Sequence, residues 1–329
     1  MTDGFGRRID TLRLSVTDRC DLRCRYCMSE RMTFLPSSER LTVEEMALLA
    51  DRFVARGVRR IRLSGGEPLV HPGLIDLARR LGRHRATGAL DELTLTTNGT
   101  RLAGCAAALF DAGIRRVNVS LDSLVPATFG AVTRGGRLAV VLEGIAAARE
   151  AGLRVKINMV AQRGVNDNEI LPMLHWCAAN GHDLTLIETM PLGAVDEDRA
   201  DRFLPLTEAV ARIAAAHPLT PLDFRTSGPA RYFAAAGLPG LRLGLITPLS
   251  DTFCSGCNRM RLSCEGKIFM CLGHDRHVDL KAALRRGGPE ALDDELDRAL
   301  ALKPAAHDFT IDAAGMHGMT RRHMNVTGG

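Results

Sequence analysis

The sequence predicts an α/β fold, a partial (β/α)6 TIM-like barrel followed by a small C-terminal domain. Six short apolar or β-branched runs recur through the first two thirds of the 329 residues, a helical pattern separates each run from the next, and this rhythm fades beyond Phe224. Such alternation is typical of a parallel sheet built from right-handed βαβ units. Six units of about 30 residues fit a partial barrel better than a closed eight-fold one, and a doubly wound sheet stays open as the alternative.

The strands are predicted where apolar and β-branched residues cluster, at residues 12–16, 60–63, 93–97, 117–121, 155–160 and 184–188. The helical patterns between them predict helices at residues 43–56, 71–85, 101–112, 137–151 and 169–180. The first helix has the clearest boundaries, because Thr42 and Glu45 form a capping box and Gly57 follows its end. Gly and Pro become frequent after residue 224, so we expect a barrel domain at residues 1–224 and a second domain at residues 225–329.

The composition limits the class of protein. Apolar residues make up 46% of the chain and charged residues 25%, which is ordinary for a globular protein with a large core. The net charge of +5 is spread through amphipathic segments rather than gathered in one block. We therefore expect no nucleic-acid partner but a local pocket for an anionic ligand. The N-terminus lacks an apolar signal region and no run reaches about 18 apolar residues, so we expect a cytoplasmic protein without a membrane partner.

Two cysteine triads are the most informative motif. The first has C-x3-C-x2-C spacing directly after the first predicted strand, and the second lies far downstream; together they comprise Cys20, Cys24, Cys27, Cys254, Cys257 and Cys271. Structural zinc takes four protein ligands, and each triad is one thiolate short. Two incomplete thiolate sets therefore favour two iron–sulfur clusters, each with one iron open to a small molecule. We interpret the remaining Cys105, Cys177 and Cys264 as small core hydrophobes.

The loops after the predicted strands should share one rim, which is where parallel α/β folds bind ligands. After the first triad, these loops carry Gly65-Gly66-Glu67-Pro68, Thr96-Thr97-Asn98-Gly99, Ser120-Leu121-Asp122 and Met190. Near the second triad, Arg259 and Arg261 alternate, so both side chains share one face of a strand. Guanidinium groups suit phosphate oxygens, which predicts an anionic nucleotide beside the second cluster.

The first triad, the tyrosine at position 26 and the Gly-Gly-Glu-Pro turn together resemble the radical S-adenosylmethionine superfamily. The resemblance implies a 4Fe-4S cluster that, when reduced, splits S-adenosylmethionine to a 5'-deoxyadenosyl radical. Glycines in the turn would let backbone groups approach the methionyl amine. The residues that would line the S-adenosylmethionine site are Tyr26, Gly66, Ser120 and Met190.

Over nearly the whole chain, the sequence also resembles the family of molybdenum cofactor biosynthesis protein A, the GTP 3',8-cyclases. The resemblance rests on the run FGRRIDTLRLSVTDRCDLRCRYCM at residues 5–28, on residues 120–124, 163–167 and 253–262, and on the terminal Gly328-Gly329, which would reach into the active site. It implies abstraction of hydrogen from C3' of GTP and attack of the carbon radical on C8, with two 4Fe-4S clusters present. The residues implied to contact GTP are Arg13, Arg62, Thr96, Lys156, Arg259, Met260 and Arg261.

The same resemblance implies a reducing electron donor and a downstream cyclic pyranopterin monophosphate synthase, and it leaves a homodimer open. Asp21, Ser29 and His71 depart from the family pattern, which more often has Asn, Pro and Arg there. Two other functions stay open. One is a radical S-adenosylmethionine enzyme that modifies a peptide and carries an auxiliary cluster, which would need neither the paired arginines nor the Gly-Gly tail. The other is a zinc-stabilised binding module.

Overall fold

The computed structural model describes residues 1–312, 315–318 and 320–328. The first six strands occur where the sequence predicts them, within one residue at each end. All strands, in chain order, are β1 Thr11–Ser15, β2 Arg60–Ser64, β3 Glu92–Thr97, β4 Arg116–Ser120, β5 Arg154–Val160, β6 Asp183–Ile187, β7 Leu219–Leu222, β8 Arg231–Ala235, β9 Leu243–Ile246, β10 Arg259–Leu262, β11 Lys267–Phe269, β12 His277–Asp279, β13 Thr310–Asp312 and β14 Gly315–His317.

One open twelve-stranded sheet forms the centre of the fold, and its order is β12-β11-β10-β1-β2-β3-β4-β5-β6-β9-β8-β7. Strands β1 to β6 pair in parallel and in chain order, and β10 and β9 extend this parallel sheet at its two edges. A doubly wound sheet reverses its strand order, so this topology excludes that alternative and confirms the partial barrel. Strands beyond residue 224 belong to the same sheet, and the division between residues 224 and 225 stays a prediction.

Helices connect the parallel strands and cover their outer face, and further helices follow in the C-terminal part of the chain. Within the described residues they are α1 Val43–Ala55, α2 Leu74–Ala86, α3 Ala106–Asp111, α4 Pro126–Thr133, α5 Leu138–Glu150, α6 Ile170–Ala179, α7 Leu206–Ala216, α8 Leu280–Gly287, α9 Ala291–Ala301 and α10 Met324–Thr327. None of these described helices has the length and apolar character that crossing a bilayer requires.

Two predicted helix starts were wrong, and five helices, α4, α7, α8, α9 and α10, were not predicted. The helix predicted at residues 71–85 starts at Leu74, because Pro68–Val70 form a 3-10 turn first. The helix predicted at residues 101–112 is only α3, because its first residues make successive turns with bonds such as Cys105 N–H to Leu102 O. Helix α4, which the sequence analysis omitted, starts with Pro126 in its first turn, where proline is favoured.

The inner and outer faces of strands β1 to β6 differ in polarity. Apolar residues such as Leu12, Leu14 and Ile61 alternate with polar ones and pack into the core against the helices. The inward positions carry Arg13 in β1 and Arg62 in β2, with Thr, Asn and Lys side chains in the strands beyond. Closed barrels of this type fill their interior with Val, Ile and Leu. Polar inward residues therefore make the interior a binding chamber rather than a second core.

The capping box of α1 provides a test of the local energetics. The hydroxyl of Thr42 accepts a bond from Glu45 N–H at 3.2 Å, and the Glu45 carboxylate accepts one from Thr42 N–H at 2.9 Å. We expect Thr42→Ala to lower the free energy of unfolding by about 1 kcal/mol, because an orphan N–H loses its acceptor. Thr42→Ser keeps the hydroxyl and is the control. Calorimetric melting of both variants checks this, and equal melting temperatures would contradict it.

Candidate active site

A first chamber lies at the carboxyl ends of the parallel strands. It brings together the first cysteine triad and residues from five separate loops. The predicted site residues that line it are Cys20, Cys24, Cys27, Tyr26, Gly66, Thr96, Ser120 and Met190. Thr96, which the resemblance assigns to GTP, thus lies on this side, and its hydroxyl is buried without a hydrogen-bond partner in the part of the chain that the structure describes.

The first triad has the surroundings of a cluster-binding site. Sγ of Cys20 accepts a bond from Leu22 N–H at 3.4 Å and from Asn98 Nδ2 at 3.8 Å. The backbone N–H of Asn325, in the C-terminal tail, lies near the Cys27 thiol and acts to lower its pKa. Burial raises the pKa of the Cys20 thiol to about 12 and the pKa of the Cys27 thiol to about 11. Donors aimed at sulfur in a buried, low-dielectric site fit thiolates that are held by a positively charged cluster.

The two glycines of the Gly-Gly-Glu-Pro turn are required for the packing of the cluster loop. A Cβ on Gly65 would lie 2.3 Å from the carbonyl oxygen of Thr17, and one on Gly66 would lie 2.3 Å from that of Arg19. Gly66 N–H donates to Thr17 O at 2.8 Å, and Glu67 N–H donates to Arg19 O at 2.8 Å. The segment that leads into the first triad therefore rests directly on the backbone of this turn.

Glu67 joins the second and third rim loops, a role that the sequence analysis did not identify. Its fully buried carboxylate accepts bonds from Leu69 N–H at 2.9 Å, Thr97 Oγ1 at 2.8 Å and Asn98 N–H at 2.6 Å. Burial raises the pKa of this carboxyl to about 7, while the three donors act in the opposite direction. Asn98 is the same residue that donates to Cys20, so this carboxylate also positions a cluster contact.

Tyr26 is held in place by a buried acid. Its hydroxyl donates to Asp122 Oδ2 at 2.9 Å, and Asp122 Oδ1 accepts a bond from Val160 N–H at 2.8 Å. Asn166, from the predicted 163–167 motif, donates to the carbonyl oxygen of Asp122 at 2.8 Å. Burial raises the pKa of Asp122 to about 6. The motif thus has a structural function, which is to fix the rim between β4 and β5.

A second chamber adjoins the first and contains the second triad. Five cations and three cysteines line it: Arg13, Arg62, Lys156, Arg259, Arg261, Cys254, Cys257 and Cys271. Among the described residues that line this chamber there is no carboxylate. Cys264 lies instead in the core and is fully buried. The Cys257 thiol is close to Arg259 and Lys303, which lower its pKa to about 7 although burial acts to raise it.

The sheet register places three arginines side by side. Arg13 of β1 pairs with Arg261 of β10 and with Arg62 of β2. Burial, together with the neighbouring guanidinium groups, lowers the pKa of Arg13, lowers that of Arg62 to about 10 and lowers that of Arg261 to about 9. Lys156 Nζ donates to Tyr232 Oη at 2.8 Å, and burial also lowers its pKa. A bound polyanion would offset the repulsion among these cations.

The C-terminal tail enters the second chamber. The carbonyl oxygen of Gly328 accepts bonds from Arg13 Nη1 at 3.1 Å and Arg261 Nη1 at 3.3 Å. Gly329, the other predicted tail glycine, lies outside the described residues. Met260 is oriented differently from its neighbours, because its side chain is in the core on the opposite face of β10. A GTP contact by Met260 would therefore use its backbone.

Three residues separate the two chambers and line both of them: Asn158, Ile187 and Met190. Oδ1 of Asn158 is buried and has no hydrogen-bond partner among the described residues. The sequence analysis did not select Asn158, although the alternation of β5 places it on the same face as Lys156. A polar atom in this position can contact ligands in either chamber.

The three departures from the family pattern make local contacts, and none of them lines either chamber. Asp21 Oδ1 accepts a bond from Asn98 Nδ2 at 2.7 Å, which links the cluster loop to the rim after β3. Ser29 donates to Arg31 O at 3.2 Å. His71 Nδ1 accepts a bond from Gly73 N–H at 3.1 Å in the turn before α2.

Comparison with known proteins agrees with this geometry. The Radical SAM superfamily matches residues 14–177, and Molybdenum Cofactor Synthesis C matches residues 182–309. A curated relative from Erythrobacter litoralis, named GTP 3',8-cyclase, is 56% identical over 100% of this chain and 98% of its own length. A relative of the same name from Rhizobium meliloti is 54% identical over 100% of this chain and 94% of its own.

The chain belongs to the GTP 3',8-cyclase family. It is a radical S-adenosylmethionine enzyme, as the sequence predicted. The alternative prediction of a zinc-stabilised binding module was wrong. The crystal structure of Streptococcus suis SuiB bound to S-adenosylmethionine superposes with a TM-score of 0.61 and 16% identity, over 87% of this chain. This chain spans 65% of the length of SuiB. That likeness shows the shared fold.

The close contact at Gly66 provides a test of the first cluster site in this cyclase family member. We expect Gly66→Ala to displace the cluster loop and to remove most of the iron of the first cluster, which is about four per chain for one cubane. Gly104→Ala is the matched control, because a Cβ there has nothing within 4 Å. Iron and sulfide analysis of the reconstituted proteins checks this. Full iron content in Gly66→Ala would show that the loop tolerates the collision.

Proposed function

We propose that this chain is a GTP 3',8-cyclase that forms (8S)-3',8-cyclo-7,8-dihydro-GTP in the first step of molybdenum cofactor biosynthesis. The observation that carries the proposal is the shared wall between the chambers. One chamber has the first cysteine triad and the radical S-adenosylmethionine residues, and the other has the second triad with a group of cations. A nucleotide in the second chamber would lie directly beside a cofactor in the first.

The two triads fit two 4Fe-4S clusters, and the second cluster is part of the proposal. Cys20, Cys24 and Cys27 would hold the first, while Cys254, Cys257 and Cys271 would hold the second. When bound and reduced, the first cluster supplies the electron that cleaves S-adenosylmethionine to the 5'-deoxyadenosyl radical, which abstracts hydrogen from C3' of GTP. Tyr26, Gly66, Ser120 and Met190 would contact S-adenosylmethionine.

The cations of the second chamber would bind and orient GTP. Arg13, Arg62 and Arg261 are adjacent in the sheet, and Lys156 lies on the same inner face. Guanidinium groups bind phosphate oxygens through paired N–H donors, and partial burial strengthens these charge-assisted bonds. A triphosphate held there would fix the ribose relative to the wall formed by Asn158, Ile187 and Met190. Such positioning accelerates an intramolecular attack on the base.

The proposal includes partners that the geometry does not address. A reducing electron donor has to supply two electrons per turnover, one to cleave S-adenosylmethionine and one that, with a proton from solvent, reduces the nucleotide radical left after attack on C8. A cyclic pyranopterin monophosphate synthase would take the product. We place this chemistry in the cytoplasm, where thiolate clusters stay reduced, with neither a nucleic-acid nor a membrane partner. A homodimer is included as one assembly to test.

The direct test is turnover by the reduced, cluster-loaded protein. We expect GTP-dependent formation of 5'-deoxyadenosine and of a cyclised nucleotide, in equal amounts. The control is the same protein with ATP in place of GTP. Chromatography and mass spectrometry measure both products. If 5'-deoxyadenosine forms only with a peptide substrate, the alternative of a peptide-modifying enzyme is favoured instead.

Arg261 provides a test of substrate binding. We expect Arg261→Ala to raise the Kd for GTP about tenfold to a hundredfold, because one charge-assisted contact is lost. Arg261→Lys keeps the charge without the planar fork and should lie in between. Arg286→Ala, an exposed arginine on α8, is the control. Equilibrium binding with measured iron content checks this, and an unchanged Kd in Arg261→Ala would remove Arg261 from the substrate site.

A further inference from the structure

The short helix α10 connects the two chambers. Met324 and Asn325, at its start, line the first chamber beside the cluster cysteines. Gly328, just after its end, contacts Arg13 and Arg261 in the second chamber. The ends of the barrel strands and the loops after them form most of the first chamber. Met324 and Asn325 are the lining residues that the C-terminal tail contributes.

Asn325 is bound to the cluster loop. Its Nδ2 donates to the carbonyl oxygen of Asp18 at 2.8 Å, and its backbone N–H lies near the Cys27 thiol, whose pKa it acts to lower. The residue is 2% exposed. The bond to Asp18 determines which atom of the amide faces the chamber, because it occupies Nδ2.

The other amide atom of Asn325 is left without a partner. Oδ1 is buried and accepts no hydrogen bond within the described residues. An unsatisfied buried acceptor costs about 1–3 kcal/mol, so native proteins rarely keep one unless a ligand or water supplies the donor. Asn325 lines the chamber that holds S-adenosylmethionine in this superfamily.

We propose that Asn325 is an S-adenosylmethionine-binding residue whose Oδ1 accepts a hydrogen bond from an N–H or O–H donor of the bound cofactor. The inference deepens the proposed function, since it assigns a ligand contact to the tail segment of the first chamber. It gives the tail a role in both chambers, because the same helix presents Asn325 to the cofactor and Gly328 to the arginines.

The test measures binding rather than turnover, on anaerobic, cluster-loaded full-length protein without GTP. We expect Asn325→Ala to raise the Kd for S-adenosylmethionine about tenfold, which corresponds to one hydrogen bond. Asn325→Asp keeps an acceptor oxygen but loses the Nδ2 donor to Asp18, so its affinity should lie between those of Asn325→Ala and the wild type. Arg321→Ala, an exposed tail position, is the control for general effects on the segment. Equilibrium dialysis gives the affinities, and the spectral change of the reduced cluster on addition of S-adenosylmethionine gives a second measure.

Each result decides the proposal. An unchanged Kd in Asn325→Ala with full iron content overturns it. A loss of iron and of GTP affinity together with S-adenosylmethionine affinity also overturns it, because the residue would then hold the loop rather than the ligand. Failure of the proposed function is distinguishable, since a wild-type protein that binds S-adenosylmethionine but does not cyclise GTP still permits this comparison.

Discussion

Uncompensated positive charge in the second chamber is the constraint on which the site depends. Arg13, Arg62 and Lys156 are nearly fully buried, and the chamber has no carboxylate among its described lining residues. Burying a charge without a partner is expensive, and neighbouring like charges increase that cost. The fold bears it because the parallel sheet fixes these side chains in register and because apolar packing on the outer face supplies the stability. A polyanionic ligand would relieve this repulsion. Relief of a repulsion that the free protein already contains would therefore contribute to the free energy of binding a triphosphate.

The first chamber is organised by a different interaction, the contact of backbone with backbone. The cluster loop rests on Gly65 and Gly66, and a Cβ at either position would overlap a carbonyl oxygen. Glu67 and Asp122 then hold the adjoining rim loops through buried carboxylates that accept backbone N–H donors. These contacts are between backbone groups or buried carboxylates, so buried packing rather than surface side chains positions the three cysteines. A preorganised ligand set of this kind is what an open-iron cluster needs.

The sequence was sufficient for the parts of the site that depend on local pattern. The first triad, the glycine turn and the six strands are short motifs, and the structure brings them to one rim. It was not sufficient for contacts between distant segments. In the sequence, Glu67 is only one residue of a turn, and its bond to Asn98 after β3 becomes visible only in the structure. Asn325 lies about 300 residues from the cluster loop that it contacts. Asn158 differs from these two residues because it could have been predicted from the sequence. The alternation of side chains along β5 alone places it inside the barrel.

Strand β1 explains how two cysteine triads far apart in sequence are held at one spacing. Before this strand, Arg7 donates to the carbonyl oxygen of Cys254 at 2.9 Å, and Asp10 accepts a bond from Asn258 Nδ2 at 2.8 Å, so the second triad's loop is bound to the N-terminal segment. Immediately after the strand comes the loop that carries Cys20. A parallel strand in the middle of a sheet cannot lengthen or shift without breaking both ladders. The separation of the two cysteine triads is therefore set by β1, and reactions that need two bound groups at a fixed distance benefit from that.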